Sequence, residues 1–291
     1  MCGIVGLFLK DRALEADLGR LLTDMLVSMS DRGPDSAGIA VYRGHEDGQV
    51  KLTVQAPDPD TQFESLGEVL GAEVTRIDTH AIVTCAPEDA DAVRAKIRAI
   101  DGLRLMSAGD AIEIYKEVGL PKTVAERFNL PTLRGTHGIG HTRMATESAV
   151  TTLGAHPFST GSDQCLVHNG SLSNHNSLRR QLGRRGVEVE TENDTEVAAA
   201  YLTWKMREGA NLREALEAGI DDLDGFYTFV VGTRDGFGVV RDPIACKPAV
   251  MAETDQYVAF GSEYRALVGL PDIDAARVWE PEPATVYFWE H

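Results

Sequence analysis

The second residue of the chain, Cys2, brings together two groups that can do nucleophilic chemistry. A cysteine attacks a carbonyl carbon as its thiolate, and an isolated thiol has a pKa of about 8.5. If Met1 is removed after synthesis, Cys2 also carries a free α-amine with a pKa of about 7.7–8.0, which can accept the thiol proton near neutral pH. Taken alone, Cys2 is explained better as a small apolar residue at a frayed chain start.

Four polar clusters follow Cys2, and each contains groups that the cleavage of an amide requires. They are RGPDSAG (32–38), GHTRMAT (140–146), HNGSLSN (168–174) and TENDTE (191–196). The first is a Gly/Pro turn, the next two lie at strand ends, and the last leads into a helix. Any one of them is a weak signal, but their order behind an N-terminal cysteine is a strong one.

The composition limits the classes of partner. The chain has 291 residues and a formal net charge of −17, which argues against binding nucleic acid or an anionic membrane surface. Its four cysteines are scattered, which argues against a zinc ribbon or a disulfide framework. We find no leader segment and no apolar run near 18 residues, so we predict a cytoplasmic protein with reduced thiols.

The hydrophobic pattern predicts the elements that position these clusters. Apolar residues recur at helical spacing over about 15–30, and the last third reads as short antiparallel strands separated by turns. Further strands are predicted at about 38–43, 50–55, 137–142 and 164–168, and helices at about 174–185 and 195–218. This pattern predicts an α+β protein with helices packed on stacked antiparallel sheets.

Residues 60–135 have a pattern of their own, which begins after the APDPD stretch at 56–60. One strand over VTRIDTHAIVTC, one helix and two short strands predict a small α/β sub-domain inserted in the main domain, which spans 2–291. The alternative is that these strands extend the main sheet.

The chain resembles the class II glutamine amidotransferases, which are N-terminal nucleophile hydrolases. The resemblance covers almost everything except about 55–135 and implies a four-layer αββα fold with an inserted small α/β segment. The matching segments are CGIVG, RGPDSAG, GHTRMAT, AHPF, HNGSLSN, TENDTE, RDPIACKP and GSEYRAL.

The resemblance also implies the roles of five residues. Cys2 would be the nucleophile, with its own α-amine relaying the proton through a water. The side-chain amide of Asn169 and the backbone N–H of Gly170 would face the oxyanion, although Asn-Gly is also the commonest hairpin turn. Arg143 would hold the α-carboxylate of the substrate, and Asp194 would hold its α-ammonium.

Other residues have weaker assignments. Asp194 has the alternative role of a helix N-cap. Arg32 and Asp35 would support the site from behind. Thr146 and His156 belong to matching motifs without a definite role.

No metal or nucleotide site is predicted. His137 and His141 are four residues apart on a predicted strand, where that spacing separates them by about 13 Å. Ordinary polar contacts are therefore expected for both. No P-loop or G-x-G-x-x-G follows a strand.

The function implied is glutamine hydrolysis through a γ-glutamyl thioester on Cys2, with the nitrogen passed to a separate acceptor subunit. The chain is most similar to the amidotransferase-like subunit of N-methylglutamate synthase (methylamine–glutamate N-methyltransferase). That resemblance implies a hetero-oligomer with a glutamate-synthase-like partner, and any FMN or iron–sulfur cluster would belong to that partner. We expect no cofactor in this chain.

Three alternatives remain open at this point. The chain could be a catalytically silent regulatory subunit, the glutaminase component of another glutamate-synthase-like complex, or an amidase that acts on a non-glutamine amide. The intact set Cys2, Arg143, Asn169, Gly170 and Asp194 argues against the first. The pairing of Arg143 with Asp194 favours an amino-acid substrate over a simple amide.

Overall fold

The computed structural model describes residues 2–43, 48–145 and 149–291, which form three antiparallel sheets and eight α-helices. The strands are β1 (Gly3–Leu9), β2 (Ser36–Tyr42), β3 (Val50–Gln55), β4 (Glu73–Ile77), β5 (His80–Cys85), β6 (Arg104–Gly109), β7 (Ile112–Val118), β8 (His137–Arg143), β9 (Cys165–Leu172), β10 (Gly225–Gly232), β11 (Gly236–Arg241), β12 (Val250–Glu253), β13 (Tyr257–Gly261), β14 (Arg277–Trp279) and β15 (Val286–Glu290). The helices are α1 (Leu18–Ser28), α2 (Pro59–Phe63), α3 (Leu66–Leu70), α4 (Ala90–Ala99), α5 (Pro121–Arg127), α6 (His175–Arg184), α7 (Asp194–Arg207) and α8 (Leu212–Asp222).

The first strand shows why the sheets stack. All seven residues of β1 are buried, and successive side chains of a strand point to opposite faces. Val5 and Leu7 pack in the core shared with α1. Ile4 and Phe8 pack in a second core shared with the strands of the facing sheet. The fully apolar β1 therefore lies between two layers.

Two central sheets and two helical layers give the four-layer αββα architecture that the resemblance implied, and the fold is α+β. The first sheet has the order β14-β12-β13-β1-β8-β2-β7, and the second has the order β15-β11-β10-β9. Helices α1 and α5 cover the outer face of the first sheet. Helices α6, α7 and α8 cover the outer face of the second, where Val197 and Leu216 meet Phe229.

A third sheet, with the order β4-β5-β3-β6, packs on α2, α3 and α4 around a core of its own. This sheet begins at Val50, before the predicted boundary at about 60, and β7 joins the seven-stranded sheet instead. The assignment of 60–135 as an inserted sub-domain stays a prediction.

Three predicted elements differ from the structure. The predicted helix over 195–218 is two helices, because Gly209 adopts a φ of +105° and Asn211 begins α8 with a capping box. The VTRIDTHAIVTC stretch forms two strands rather than one, since Asp78 adopts a φ of 54° at the turn between them. The predicted helix over 15–30 is an α-helix only over Leu18–Ser28, preceded by a 3₁₀ turn at Arg12–Asp17.

Within the described ranges, none of the helices combines the length and the apolar character that crossing a membrane requires.

Candidate active site

Neighbouring strand ends bring the polar clusters together. Gly3 of β1 lies opposite Thr142 of β8, and Ser36 of β2 lies opposite Arg143. The antiparallel register therefore places Cys2, the RGPDSAG turn and the end of β8 at one end of the seven-stranded sheet.

The carbonyl oxygen of Cys2 accepts two hydrogen bonds from predicted site residues. Arg32 donates from Nε at 2.9 Å, and Asn169, on β9 of the facing sheet, donates from Nδ2 at 3.3 Å. Cys2 itself is half-buried and its thiol is free. These two bonds fix the backbone of Cys2 from two sides, one from the turn that precedes β2 and one from β9 of the facing sheet.

Glu263 is a member of this cluster to which the sequence assigned no role. Its Oε1 lies 2.6 Å from Nη1 of Arg32, whose side chain is only 8% exposed. The hydrogen bond from Arg32 holds the pKa of Glu263 below its usual value. Because Arg32 contacts Glu263 and Cys2 at once, the ion pair orients the guanidinium toward the Cys2 carbonyl.

Asp35 supports the backbone that carries Arg143. The Asp35 N–H donates to the Arg143 carbonyl at 3.1 Å, and Oδ2 accepts from the Ala145 N–H at 2.8 Å. Arg143 is buried, and its Nη1 donates to the Ala149 carbonyl at 3.3 Å. Thr146, named in the sequence analysis, lies outside the described residues.

Gly170 occupies a position that only glycine suits. Its φ is +149°, and a Cβ atom there would lie 2.0 Å from the carbonyl oxygen of Phe226. The Asn169-Gly170 pair lies within β9 opposite Thr228 and Tyr227. The alternative of a plain hairpin turn is therefore wrong, because the strand continues to Leu172.

Asp194 is the first residue of α7 and not its N-cap. The cap is Asn193, whose side chain accepts from the Thr195 N–H at 2.9 Å. The Asp194 carboxylate instead accepts from the Leu172 N–H at 2.9 Å, and its Oδ1 lies 3.6 Å from Nδ1 of His168. Burial acts to raise the pKa of Asp194, but the nearby His168 ring and the hydrogen bond from the Leu172 N–H outweigh it and lower that pKa.

Three buried histidines lie behind this carboxylate, and sequence reasoning gave none of them a definite role. Thr195 Oγ1 lies 2.7 Å from Nε2 of His156 and 3.1 Å from Nδ1 of His168. Nε2 of His141 donates to the His168 carbonyl at 3.0 Å, and the rings of His141 and His156 stack at 4.0 Å. The only sequence signal was that each belongs to a different polar motif.

The two histidines considered as a metal pair make the polar contacts that were expected. Nε2 of His137 donates to the Thr233 carbonyl at 2.8 Å, while His141 contacts the carbonyl of His168. Over the described ranges, His, Cys, Asp and Glu side chains form no group of three or more that could hold a metal ion.

Comparison with known proteins gives this site a family. A sequence model described as "Glutamine amidotransferase domain" matches residues 141–269, which include Arg143, Asn169, Gly170 and Asp194. The glutamine amidotransferase-like protein GlxB of Rhizobium meliloti is 66% identical over 297 residues, covering 100% of this chain and 99% of GlxB. The chain belongs to the class II glutamine amidotransferases. A putative glutamine amidotransferase of Methanothermobacter thermautotrophicus is 34% identical, with 99% of each chain covered.

A solved amidotransferase structure shows the same fold. The glutamine phosphoribosylpyrophosphate amidotransferase of B. subtilis superposes with a TM-score of 0.65 at 21% identity, covering 99% of this chain and 47% of its own. At 21% sequence identity, this similarity is evidence for the fold alone.

Proposed function

We propose that the protein hydrolyses the side-chain amide of glutamine through Cys2. After removal of Met1, the Cys2 α-amine takes the thiol proton, and the sulfur attacks the amide carbon. The Cys2 α-ammonium then returns this proton to the amide nitrogen, the C–N bond breaks, ammonia leaves, and a γ-glutamyl thioester remains. Water then attacks the thioester, which releases glutamate and restores the thiol.

The hydrogen bond from Asn169 to the Cys2 carbonyl is the observation that carries this proposal. A carboxamide has two N–H donors, so Asn169 can hold the Cys2 backbone with one and meet the developing oxyanion with the other. The backbone N–H of Gly170 would be the second oxyanion donor. Both donors belong to β9, which pairs with β10 along its whole length and contacts β1 and β8 of the seven-stranded sheet.

The two charged residues suit the other end of a glutamine molecule. The guanidinium of Arg143 would bind the α-carboxylate through paired N–H groups. Asp194 would bind the α-ammonium, and its lowered pKa keeps it ionised for that contact. Arg32 and Asp35 would hold the backbones of Cys2 and Arg143 without touching the substrate.

We further propose that the nitrogen passes to a separate, glutamate-synthase-like subunit that makes N-methylglutamate from methylamine and glutamate. The resemblance to the amidotransferase-like subunit of N-methylglutamate synthase supports this step, and the 66% identity along 99% of GlxB is with a relative that is itself named an amidotransferase-like protein. The FMN and any iron–sulfur cluster would belong to the partner, and the complex would be cytoplasmic.

Glutamine hydrolysis by the purified protein, measured as glutamate release, tests the proposal. We expect Cys2→Ala to abolish the activity and Cys246→Ala, which changes an exposed thiol, to retain it. An amide that lacks the α-carboxylate, such as 4-aminobutanamide, should be a poor substrate. Equal activity on both amides would favour the general amidase, and Cys2-independent turnover would contradict the mechanism. Affinity capture from native cells with identification by mass tests the acceptor subunit.

A further inference from the structure

Behind Asp194 lies a chain of buried side chains that glutamine hydrolysis, as proposed above, does not use. It runs from His156 through Thr195 to His168 and on to Asp194, with distances of 2.7, 3.1 and 3.6 Å between successive polar atoms. The exposures of His156, Thr195 and His168 are 5%, 1% and 4%. Bulk water therefore does not compete for the two hydrogen bonds of Thr195.

The hydroxyl of Thr195 can donate only one proton, so its two imidazole contacts must differ. In one arrangement it donates to His168 Nδ1 and accepts from His156 Nε2. In the other it donates to His156 Nε2 and accepts from His168 Nδ1. Each neutral arrangement leaves one buried ring N–H without a partner among the described residues. In the first arrangement this N–H is on His168 Nε2, and in the second it is on His156 Nδ1.

The Asp194 carboxylate decides between the two arrangements. In the first, a lone pair on His168 Nδ1 would face a carboxylate oxygen 3.6 Å away, which is repulsive. In the second, an Nδ1–H faces that oxygen, which is attractive. His156 accepts the Thr195 proton on Nε2, and burial keeps it neutral by lowering its pKa far below the usual value. The proton order is thereby fixed along the whole chain.

We propose that Thr195 is a positioning residue: with His156 behind it, it holds the His168 Nδ1–H toward Asp194 and so aims that carboxylate at the α-ammonium of the substrate. This rests on the proposed function, because it presumes a ligand with an α-ammonium. The relay, defined as His156, Thr195 and His168, touches neither the substrate nor Cys2. Its loss should therefore weaken recognition of the ammonium and leave recognition of the rest of the ligand intact.

Protection of Cys2 from alkylation by iodoacetamide, followed by intact mass, measures this without requiring turnover. L-Glutamate and glutarate differ only in the α-ammonium. In the wild type we expect glutamate to protect at lower concentration than glutarate. The protection constant is the ligand concentration that halves the rate of alkylation. In Thr195→Val the protection constant for glutamate should rise about ten-fold, as for the loss of a hydrogen bond to a charged group. The protection constant for glutarate should change less than about two-fold.

Two further variants separate positioning from folding. Thr195→Ser keeps the hydroxyl and should restore the wild-type preference for glutamate. Thr23→Val removes another buried hydroxyl, on α1, that has no hydrogen-bond partner among the described residues, and should change neither constant. In the double variant Asp194→Asn/Thr195→Val, protection by glutamate should be no weaker than in Asp194→Asn alone.

Two results overturn the relay alone. One is an unchanged glutamate constant in Thr195→Val, and the other is an equal weakening for glutamate and glutarate. Absence of protection by either ligand in the wild type would overturn the proposed function itself and the relay with it.

Discussion

The side-chain amide of Asn169 lies 3.3 Å from the carbonyl oxygen of Cys2, and this contact joins the two central sheets at the candidate site. The residues are 167 positions apart in sequence. Asn169 is only 4% exposed and is held in β9 opposite Thr228. A donor fixed in this way costs no reorganisation when negative charge develops beside Cys2.

Asn169→Ala should lower kcat for glutamine hydrolysis by about 100- to 1,000-fold with little change in KM, as for the loss of one oxyanion donor. Steady-state kinetics measure this. Asn174→Ala is a matched control, because Asn174 makes two hydrogen bonds, to Asp222 and Asp224, away from Cys2. It should lower stability by about 1–2 kcal/mol and spare kcat. Similar kcat losses in both variants would remove Asn169 from the chemistry.

Arg32→Lys should lower kcat by roughly 5- to 30-fold, the equivalent of about 1–2 kcal/mol. A lysine cannot reproduce the guanidinium fork that contacts Glu263 and the Cys2 carbonyl together. Arg265→Lys is the control, since Arg265 pairs with the same Glu263 at 2.8 Å but is 41% exposed. Such a surface pair is worth about 0–1 kcal/mol, so activity should persist. Equal kinetics for wild type and Arg32→Lys would contradict the orienting role of Arg32.

Gly170→Ala should destabilise the fold by about 2–5 kcal/mol, measured by urea unfolding. Two costs add, because the φ of +149° is unfavourable for alanine and the new Cβ would meet the Phe226 carbonyl. Gly186→Ala has only the first kind of cost, since its φ is +73° with no atom within 4 Å of the added Cβ. Equal destabilisation of the two variants would show that β9 adjusts without strain.

Acidification should destabilise the protein through its buried histidines. Burial lowers the pKa of His137 to about 3, whereas an unfolded imidazole has a pKa of about 6.5. Between these two pH values His137 is protonated in the unfolded chain and neutral in the folded chain. The free energy of unfolding therefore falls as the pH drops from 6.5 toward 3. One such histidine contributes a slope of up to about 1.4 kcal/mol per pH unit.

His137→Gln removes that contribution and keeps an N–H donor for the Thr233 carbonyl. Urea unfolding between pH 7 and pH 4.5 should give a shallower decline than in the wild type. A decline of the same slope would mean that His137 takes up its proton in the folded state as well.

Local sequence pattern predicted most of the elements. The apolar run of β1 and the helical spacing of α1 follow from periods of two and 3.6 residues, and both are present. The break between α7 and α8 was missed because the prediction used the spacing of apolar residues. That spacing takes no account of Gly209, which has a positive φ, or of Asn211, which caps α8. The family resemblance named Cys2, Asn169 and Asp194, but not what fixes them.

Contacts between distant segments had no signal in a single sequence. Arg32 and Glu263 are 231 residues apart and meet only because β13 lies beside β1. The relay behind Asp194 draws on three motifs, which lie in the segment between β8 and β9, in β9 and in α7. Sequence reasoning could identify the motifs as polar clusters, but which histidine contacts Thr195 depends on how α7 packs on β9.

The central claim is that the thiol of Cys2, freed at the N-terminus, attacks the carboxamide of glutamine. The most direct measurement is the reaction with 6-diazo-5-oxo-L-norleucine, an electrophilic glutamine analogue, followed by intact mass and peptide mapping. We predict a chain that lacks Met1 and carries one adduct on Cys2, with glutamine slowing the labelling. A chain that retains Met1, or an adduct on Cys246 in place of Cys2, would contradict the account.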